Sequence, residues 1–392
     1  MIPKLDDLDV AGKRVLVRFD FNVPVEGDTV GDDTRIRAAL PTLNELLDGG
    51  ATVIGMSHLG RPKGPDDENR MGPVAAHLGE LLGRDVRYLP CDGPGSREQQ
   101  AFVAEAPEGS LTLLENTRFD PREKKNDPEL AAILAGYADL YVNDAFGAAH
   151  RAHASTEGVA HLLESAAGRL LERELEVLGR LVDEPAHPFK VILGGAKVSD
   201  KIGVIENLLG PVDELFVGGA MAYTFLAARG GRVGASLVEE DKLDVARELM
   251  RRAEDAGVSL FLPSDSVCAT EVAAGVATEV HPSDAIPDGQ MGLDAGPDAI
   301  ASWRAQLAGA RTVFWNGPLG VFETPPFDVG TRSVAEAVAD LDAFTVIGGG
   351  DSVAAINTSG LADRIDHIST GGGASLEFLE GRPLPGVVAL ER

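Results

Sequence analysis

Arginine and histidine residues follow four predicted strands in the first half of the chain. The motifs are Thr34-Arg-Ile-Arg37, Ser57-His-Leu-Gly-Arg-Pro62, Glu115-Asn-Thr-Arg-Phe119 and Phe146-Gly-Ala-Ala-His-Arg-Ala-His153. Any one of these basic residues alone is typical of a solvated or salt-bridged surface. However, the carboxyl ends of parallel strands meet at one edge of a sheet, and arginine binds phosphate and carboxylate in bidentate fashion. We therefore predict a site for a small, multiply charged anion, formed by Arg18, Arg35, His58, Arg61, Arg118, His150, Arg151 and His153.

The segment from Arg14 to Pro24 is predicted to be the strand that leads into this site. Apolar and polar residues alternate along it, so that one face is apolar and the other carries Arg18, Asp20 and Asn22. An ordinary half-buried edge strand shows the same alternation. Because unpaired charges are costly to bury, we expect the polar face to meet water, a partner or a ligand cleft.

Glycine-rich motifs replace the basic motifs in the second half of the chain. They are Leu193-Gly-Gly-Ala-Lys-Val198, Val217-Gly-Gly-Ala-Met-Ala222, Ile347-Gly-Gly-Gly-Asp-Ser352 and Thr370-Gly-Gly-Gly-Ala-Ser375. Each is expected to follow a strand and to open a helix. Glycine lets the backbone approach a ligand closely, and the free N–H groups at a helix start attract phosphate. A single glycine pair can be a tight turn, but four repeats favour a nucleotide site, although the P-loop and dinucleotide fingerprints are both absent.

One further motif, Asn316-Gly-Pro-Leu-Gly-Val-Phe-Glu323, also follows a predicted strand. Its glycines and proline are typical of a turn. Glu323 could reach a ribose hydroxyl, but the residues alone do not establish that contact.

Strands and helices that could position these motifs alternate along the chain. Short apolar runs, such as Val53 to Met56 and Val313 to Trp315, lie between helical patterns such as Ala38 to Leu47 and Leu243 to Ala256. This alternation predicts an α/β fold with parallel sheets covered by helices. The helical stretch Arg169 to Val182 could be an ordinary covering helix, but the kind of motif changes across it, so we predict a domain boundary there.

Composition and charge restrict the possible classes of protein. A chain of 392 residues predicts about two or three domains. Its net charge of −27 makes nucleic acid and anionic membranes poor partners. Cys91 and Cys268 fit neither a metal-site spacing nor a disulfide framework. No apolar run reaches the ~20 residues of a membrane span. No signal peptide is evident. We therefore expect a cytoplasmic protein. Only nine of the 35 basic residues are lysines, which resembles proteins of salt-loving organisms, although an ordinary acidic enzyme would look similar.

Taken together, the motifs resemble the phosphoglycerate kinase family over nearly the whole chain. Besides the motifs above, the resemblance rests on Arg-Phe-Asp-Phe-Asn-Val-Pro at residues 18–24, Lys-Val-Ser-Asp-Lys at 197–201 and Asp288-Gly-Gln-Met-Gly-Leu-Asp294. It implies two doubly wound, Rossmann-like domains facing a central cleft. Residues 1–168 would bind phosphoglycerate, 169–182 would form an interdomain helix, 183–379 would bind nucleotide, and about 380–392 would return to the first domain.

The implied reaction is reversible phosphoryl transfer between 1,3-bisphosphoglycerate and ADP, giving 3-phosphoglycerate and ATP, by a monomer that uses Mg²⁺. The residues implied for phosphoglycerate are Arg18, Asp20, Asn22, Arg35, His58, Leu59, Gly60, Arg61, Arg118 and Arg151. Those implied for the nucleotide are Gly194, Gly195, Lys197, Lys201, Gly218, Asn316, Glu323, Gly349, Gly350, Asp351 and Ser352. The charge of the transferring phosphoryl group would be neutralised by Arg35, Lys197, Gly371, Gly372 and Gly373. Asp351 would hold Mg²⁺. Ala196 and Ser352 depart mildly from the family pattern, where serine and threonine are also common.

Two other hypotheses account less well for the motifs. A dehydrogenase on a similar sheet would need the dinucleotide fingerprint, which is absent. A non-catalytic descendant of the enzyme would be expected to have lost Arg35, Lys197 or Asp351, and all three are present.

Overall fold

Two parallel β-sheets, one in each of two compact units, form the framework of the chain. A computed structural model describes residues 1–391. Unit 1 comprises Met1–Glu176 and the residues from Pro383 onward, and unit 2 comprises Val177–Arg382. No helix within residues 1–391 is both long enough and apolar enough to cross a membrane.

The strands of unit 1 are β1 (Arg14–Phe19), β2 (Val25–Glu26), β3 (Thr29–Val30), β4 (Thr52–Met56), β5 (Val86–Tyr88), β6 (Leu111–Leu113), β7 (Leu140–Asp144) and β8 (Glu164–Ala167). Its helices are α1 (Thr34–Asp48), α2 (Gly72–Leu82), α3 (Arg97–Ala104), α4 (Pro128–Ala135) and the first part of α5 (Arg169–Asp183). The main sheet has the order β5-β6-β4-β1-β7-β8 with every pair parallel, whereas β2 and β3 form a small hairpin.

Strand β1 lies in the middle of this sheet and is buried on both faces, as is usual in parallel sheets. Val17 lies opposite Gly55 of β4 and Val142 of β7. The apolar alternation continues past the end of the strand, since the rings of Phe19 and Phe21 stack with centroids 4.8 Å apart. The strand itself ends at Phe19, five residues before the predicted end, and the residues that follow turn into the loop that carries Asp20 and Asn22.

The strands of unit 2 are β9 (Phe189–Leu193), β10 (Glu214–Val217), β11 (Arg232–Val233), β12 (Ser259–Phe261), β13 (Asp265–Ala269), β14 (Glu279–Pro282), β15 (Ala285–Ile286), β16 (Met291–Ala295), β17 (Thr312–Asn316), β18 (Phe344–Gly348) and β19 (His367–Ile368). Its helices are α6 (Ile202–Leu208), α7 (Met221–Ala228), α8 (Leu243–Asp255), α9 (Pro297–Leu307), α10 (Val329–Ala339), α11 (Gly350–Ser359) and α12 (Gly372–Leu379). A last helix, α13 (Pro385–Val388), belongs to unit 1.

The main sheet of unit 2 is also parallel, with the order β12-β10-β9-β17-β18-β19. The chain winds outward in both directions from the middle of this sheet, and the direction reverses between β9 and β17. Ligands of such sheets bind at the carboxyl ends of the strands beside this reversal. A separate antiparallel sheet, β14-β13-β16, and the two-stranded sheet β11-β15 were not predicted. The predicted α/β class with two parallel sheets is confirmed.

Helix α5 crosses the division between the units, which falls between Glu176 and Val177. At its start, the carboxylate of Asp144 accepts a hydrogen bond from the backbone N–H of Leu170 at 2.9 Å, and the guanidinium of Arg169 pairs with Asp6 and Glu45. These contacts anchor the first turn of the helix to unit 1, as N-terminal capping by a carboxylate does generally.

Candidate functional site: two sheet edges

The basic residues of unit 1 gather where β1, β4, β6 and β7 end. Arg18 is the most deeply placed, with 1% of its surface exposed. Its guanidinium donates to Ser155 Oγ at 2.8 Å, to His58 Nδ1 at 3.1 Å and to the carbonyl of Phe19. The expectation that this face meets water, a partner or a ligand is therefore wrong for Arg18, because hydrogen bonds inside the protein satisfy the group that water would otherwise solvate.

The hydrogen bond from Arg18 fixes the state of His58. A guanidinium only donates, so Nδ1 of His58 must be the acceptor, and the ring proton is on Nε2. Burial and the positive charge of Arg18 hold the pKa of His58 well below its ordinary value, so the ring is neutral at physiological pH. The site thus has an imidazole N–H donor rather than an imidazolium.

Arg35 joins the loop after β1 to the first turn of α1. Its Nη1 donates to Asp20 Oδ2 and to the carbonyl oxygen of Asn22, each at 3.2 Å. The side chain of Asn22 accepts from the backbone N–H of Gly60 at 2.8 Å. The other carboxylate oxygen of Asp20, Oδ1, is buried and has no hydrogen-bond partner within the described part of the chain. An acceptor is therefore present for a donor that the protein itself does not supply.

The loop after β4 carries His58, Leu59 and Gly60, and Asn116 holds it in place. The Asn116 side chain donates to the Leu59 carbonyl at 2.8 Å and accepts from the Leu59 N–H at 3.3 Å. Gly60 has a φ of +62°, and a Cβ there would lie 1.8 Å from Asn69 Oδ1. Only glycine fits both constraints.

Arg118 is the clearest sign of an anion site. Its side chain is partly buried and donates through Nη1 to the carbonyl of Gly60, while Nε is buried without a partner within residues 1–391. Burial and the positive charges of Arg18 and Arg151 lower the pKa of Arg118 to about 10. A guanidinium placed among other cations, with a donor still free, is arranged to receive an anion from outside.

The remaining basic residues lie around this centre. Arg151 is exposed and donates to His150 Nε2 at 3.0 Å, and its charge acts on both Arg118 and His153. Burial, together with Arg18 and Arg118, lowers the pKa of His153 to about 4. Arg61 is exposed. The predicted cluster is thus built of buried and exposed members, and not every histidine in it carries charge.

In unit 2, the glycine motifs after β9, β10 and β17 pack against one another. A Cβ on Gly194 would lie 2.1 Å from the carbonyl oxygen of Pro318, and one on Gly219 would lie 2.5 Å from that of Gly195. The backbone of Gly195 also donates to Pro318, and Gly218 donates to Leu193. These glycines therefore allow three loops to approach backbone to backbone, a role that the motif pattern did not indicate.

Three of the four glycine motifs lead into helices as predicted, namely those before α7, α11 and α12. The first does not, because α6 begins only at Ile202, so that expectation was wrong. The starts of α11 and α12 lie side by side, since a Cβ on Gly372 would be 3.4 Å from the backbone N of Gly350. The Cβ position of Gly350 itself meets nothing within 4 Å. Two sets of free N–H groups thus lie together next to open space.

Lys201 and Asn316 form a buried polar pair beside these helix starts. The ammonium of Lys201 donates to Asn316 Oδ1, and the Asn316 Nδ2 is buried without a partner within residues 1–391. Burial lowers the pKa of Lys201 to about 8, although the negative charges of Asp200 and Asp351 oppose this shift. Ser352 lies close by and accepts a hydrogen bond from the N–H of Gly317 at 2.6 Å.

Two predicted side chains of unit 2, those of Lys197 and Glu323, are exposed and stand apart from this pair. Lys197 lies in the segment between β9 and α6, and Glu323 lies in a turn between β17 and α10. Gly371 precedes α12 and is held by Ser369 and Ser375, whereas Gly373 is exposed in its first turn. Hydrogen bonds do not join Lys197 or Glu323 to the other candidate residues.

The residues present fit a Mg²⁺ that arrives with a phosphorylated ligand. Within residues 1–391 there is no group of three or more histidine, cysteine or acidic side chains that could hold a metal alone. Mg²⁺ with nucleotides usually needs only one or two protein carboxylates, because phosphates and water supply the other ligands. Asp351 offers one such carboxylate, exposed in the first turn of α11.

Several residues that organise the unit 1 site were missed in the sequence. Ser57 accepts from the N–H of Phe21 at 2.8 Å, and it stands, like Asn116, inside a motif that was singled out for its neighbours. Ser155 accepts a hydrogen bond from Arg18 and donates one to Glu123. Glu123 falls in the charged run Arg122 to Lys125, which looks like a solvated surface, so no signal in the sequence marks it.

Comparisons with known proteins agree on one family. The family model described as phosphoglycerate kinase matches residues 5–382. The chain is 57% identical over 386 residues to a phosphoglycerate kinase of Thermus thermophilus and 58% identical over 388 residues to one of Moorella thermoacetica, covering 98% of each chain in both cases. It also matches the structure of phosphoglycerate kinase from Coxiella burnetii with a TM-score of 0.90 at 39% identity, covering 100% of this chain and 99% of that one. The chain belongs to the phosphoglycerate kinase family.

Proposed function

We propose that the chain performs the phosphoglycerate kinase reaction with two half-sites, one at the sheet edge of each unit. The reaction is the reversible transfer of a phosphoryl group between the acyl phosphate of 1,3-bisphosphoglycerate and ADP, giving 3-phosphoglycerate and ATP in glycolysis and gluconeogenesis. The observation that carries the residue assignment is Arg118, whose buried Nε has no hydrogen-bond partner among the described residues and whose pKa is lowered by burial and by other cations.

In the first half-site, Arg61, Arg118 and Arg151 would bind the anionic groups of phosphoglycerate. Its hydroxyl would donate to the unpaired Oδ1 of Asp20, and the Nε2–H of His58 would donate to an oxygen of the ligand. These assignments are supported by the free Nε of Arg118, the partnerless Asp20 oxygen and the tautomer that Arg18 imposes. The loops around the ligand would be shaped by Asn22, Arg35, Leu59 and Gly60.

In the second half-site, the N–H groups at the starts of α11 and α12 would bind the phosphates of the nucleotide. Lys201 would add a positive charge, and Glu323 would reach the ribose. The residues that would line and support the nucleotide site are Gly194, Gly195, Gly218, Asn316 and Ser352. The assignment is supported by the reversal of strand direction beside β9 and β17 and by the open space at Gly350.

Phosphoryl transfer needs no protein nucleophile. It depends on in-line positioning of the two oxygens and on neutralising the charge of the phosphoryl oxygens. Arg35, Lys197 and the backbone of Gly371 to Gly373 would provide that charge. A bound Mg²⁺ would neutralise part of the charge on the nucleotide phosphates, with Asp351 as its protein ligand, directly or through water.

The affinity for nucleotide should depend on pH through Lys201. Because the pKa of Lys201 is about 8 in the free protein, its ammonium loses its proton as the pH rises through that value, and phosphate binding would restore the proton. We therefore expect affinity for ADP to fall by up to about tenfold per pH unit above this pKa, with proton uptake on binding. Calorimetry in two buffers of different ionisation enthalpy measures both quantities.

The control for this experiment is Lys201→Arg, which keeps a positive charge at every pH tested. The variant should bind ADP without proton uptake in the alkaline range. If the unmodified protein shows neither proton uptake nor a loss of affinity there, Lys201 does not bind the phosphates.

The residues proposed for the two half-sites belong to different units, and transfer requires the two reacting oxygens to be in line. We propose that the units close around the bound substrates and exclude water, with α5 as one hinge. Support comes from its position across the division. Small-angle scattering should show a smaller radius of gyration with both substrates than with either one, and an unchanged curve would refute closure.

We further infer that the protein is a cytoplasmic monomer adapted to salt. Both cysteines are free, and the net charge of −27 produces self-repulsion that salt screens. A coupled assay with 3-phosphoglycerate, ATP and Mg²⁺, run across salt concentrations, tests the function and the salt requirement together. We expect ADP formation that needs all three components, and the absence of ADP formation at every salt concentration would refute the function.

A further inference from the structure

Within the described residues 1–391, the buried guanidinium of Arg18 has no acidic side chain among its direct hydrogen-bond partners. The three acceptors are a serine hydroxyl, a backbone carbonyl and a neutral imidazole. Burying a charge is costly unless an opposite charge and hydrogen bonds compensate it. The charge of Arg18 must therefore be balanced by a group beyond its immediate contacts.

Glu123 is that group. Its side chain is fully buried, and both of its carboxylate oxygens are occupied by Ser155, with Oε1 2.6 Å from Ser155 Oγ and Oε2 3.0 Å from the backbone N of Ser155. His153 lies 3.7 Å away but is neutral, because its pKa is about 4. Burial raises the pKa of Glu123, and the positive charge of Arg18 is the strongest of the influences that oppose this shift.

The hydrogen bonds between these groups can run in only one direction. The hydroxyl of Ser155 has a single proton, which it gives to Glu123, so its oxygen can accept from Arg18 Nε at 2.8 Å. At the far side of the guanidinium, Nη2 donates to Nδ1 of His58. Glu123 therefore keeps the Ser155 oxygen available as an acceptor for Arg18, and Arg18, held in this position, requires Nδ1 of His58 to be the acceptor.

We propose that Glu123 is a positioning residue of the phosphoglycerate half-site: acting through Ser155 and Arg18, it holds His58 as the neutral tautomer that presents an Nε2–H to the bound anion. The inference rests on the proposed function of His58. The segment that contains Glu123, a short 3₁₀ helix from Glu123 to Lys125, thereby contributes to substrate recognition although its acidic side chain cannot touch the substrate.

The test is Glu123→Gln. The amide has the size of the carboxylate but only one acceptor, so it cannot accept from both the hydroxyl and the N–H of Ser155. We expect the KM for 3-phosphoglycerate to rise between about tenfold and a hundredfold, as when other supporting hydrogen bonds of a site are removed, with kcat and the KM for ATP nearly unchanged.

Ser155 and Tyr141 provide matched variants. Ser155→Ala should reproduce the effect of Glu123→Gln, Ser155→Thr should restore the KM because it keeps the hydroxyl, and the double variant should be no worse than either single one. Tyr141→Phe removes a buried hydrogen bond of 3.0 Å to the carbonyl of the same Ser155. It leaves intact the hydrogen bonds that connect Glu123 to His58 through Ser155 and Arg18. Its KM should stay unchanged.

Nitrogen-15 NMR of His58 gives a readout that a loss of stability alone would not move. In the unmodified protein we expect a protonated Nε2 and an unprotonated Nδ1, and in Glu123→Gln a mixture of tautomers. A protonated Nδ1 in the unmodified protein would overturn the proposal without any variant. An unchanged KM and tautomer in folded Glu123→Gln, or an equal rise of KM in Tyr141→Phe, would overturn it too. If the unmodified protein fails to bind 3-phosphoglycerate, the proposed function is refuted instead.

Discussion

Replacing Lys197 by alanine should lower kcat by about two to three orders of magnitude, the usual cost of removing one donor that stabilises charge in a transition state. Affinity for ADP should change much less, because the phosphates would still bind at the starts of α11 and α12 and at Lys201. The side chain of Lys197 is exposed in the segment between β9 and α6, and no ion pair within residues 1–391 engages it. Its ammonium is therefore free to meet the phosphoryl group during transfer.

Steady-state kinetics of the coupled reaction, together with ADP binding by calorimetry, separate these two effects. Arg251→Ala is a suitable control, since it removes a positive charge from the same unit at an exposed position on α8, where Arg251 pairs with Glu248 and Asp255. This variant should keep its kcat. If Lys197→Ala also keeps its kcat, Lys197 has no part in the chemical step.

Replacing Arg118 by alanine should weaken binding of 3-phosphoglycerate by between about tenfold and a hundredfold, the range expected for losing a hydrogen bond to a charged group. The reason is the position of the side chain: its Nε is buried without a hydrogen-bond partner in the part of the chain that the structure describes, and its pKa is lowered by burial and by Arg18 and Arg151. A bound anion would accept a hydrogen bond from Nε and would raise the pKa of Arg118 by offsetting the positive charges around it. Nucleotide binding should be unaffected, because the residues that we propose for the nucleotide belong to unit 2.

Calorimetry without nucleotide measures this loss directly. Arg118→Lys should recover only part of the affinity, since an ammonium keeps the charge but not the planar pair of donors. Arg84→Ala is the control for charge, because Arg84 is exposed near the start of β5 and donates to the carbonyl of Gly109. Normal binding by Arg118→Ala would rule out the anion cluster as assigned.

Most strands of the two main sheets could be predicted because they are short apolar runs, whereas the edge strands β5 and β8, which are not such runs, were not predicted. The runs at Val53, Leu140 and Val313 are strands whose observed ends differ from the predicted ones by no more than two residues. The antiparallel sheet around β14 could not be predicted. That strand, Glu279–Pro282, is mostly exposed and lacks an apolar run, and its pairing with β13 depends on a contact between distant parts of the chain.

The sequence could predict that basic residues follow the strands of unit 1, but not which of them are buried. A list of basic residues does not distinguish Arg18, which is buried and serves other side chains, from Arg61, which is exposed. Charge pattern also cannot reveal Glu123, because an acidic residue between Arg122 and Lys124 has the appearance of a solvated surface. Only the tertiary structure shows that its carboxylate turns inward to Ser155.

The close packing of the glycine loops in unit 2 restricts which substitutions the proposed nucleotide site can accept. A methyl group on Gly194, Gly219 or Gly317 would displace a neighbouring main chain. Substitution at these three positions is therefore sterically excluded. Gly350 is different, since a methyl group there would meet nothing within 4 Å and its φ is not positive. A directed-evolution library aimed at new nucleotide selectivity would best begin at that position.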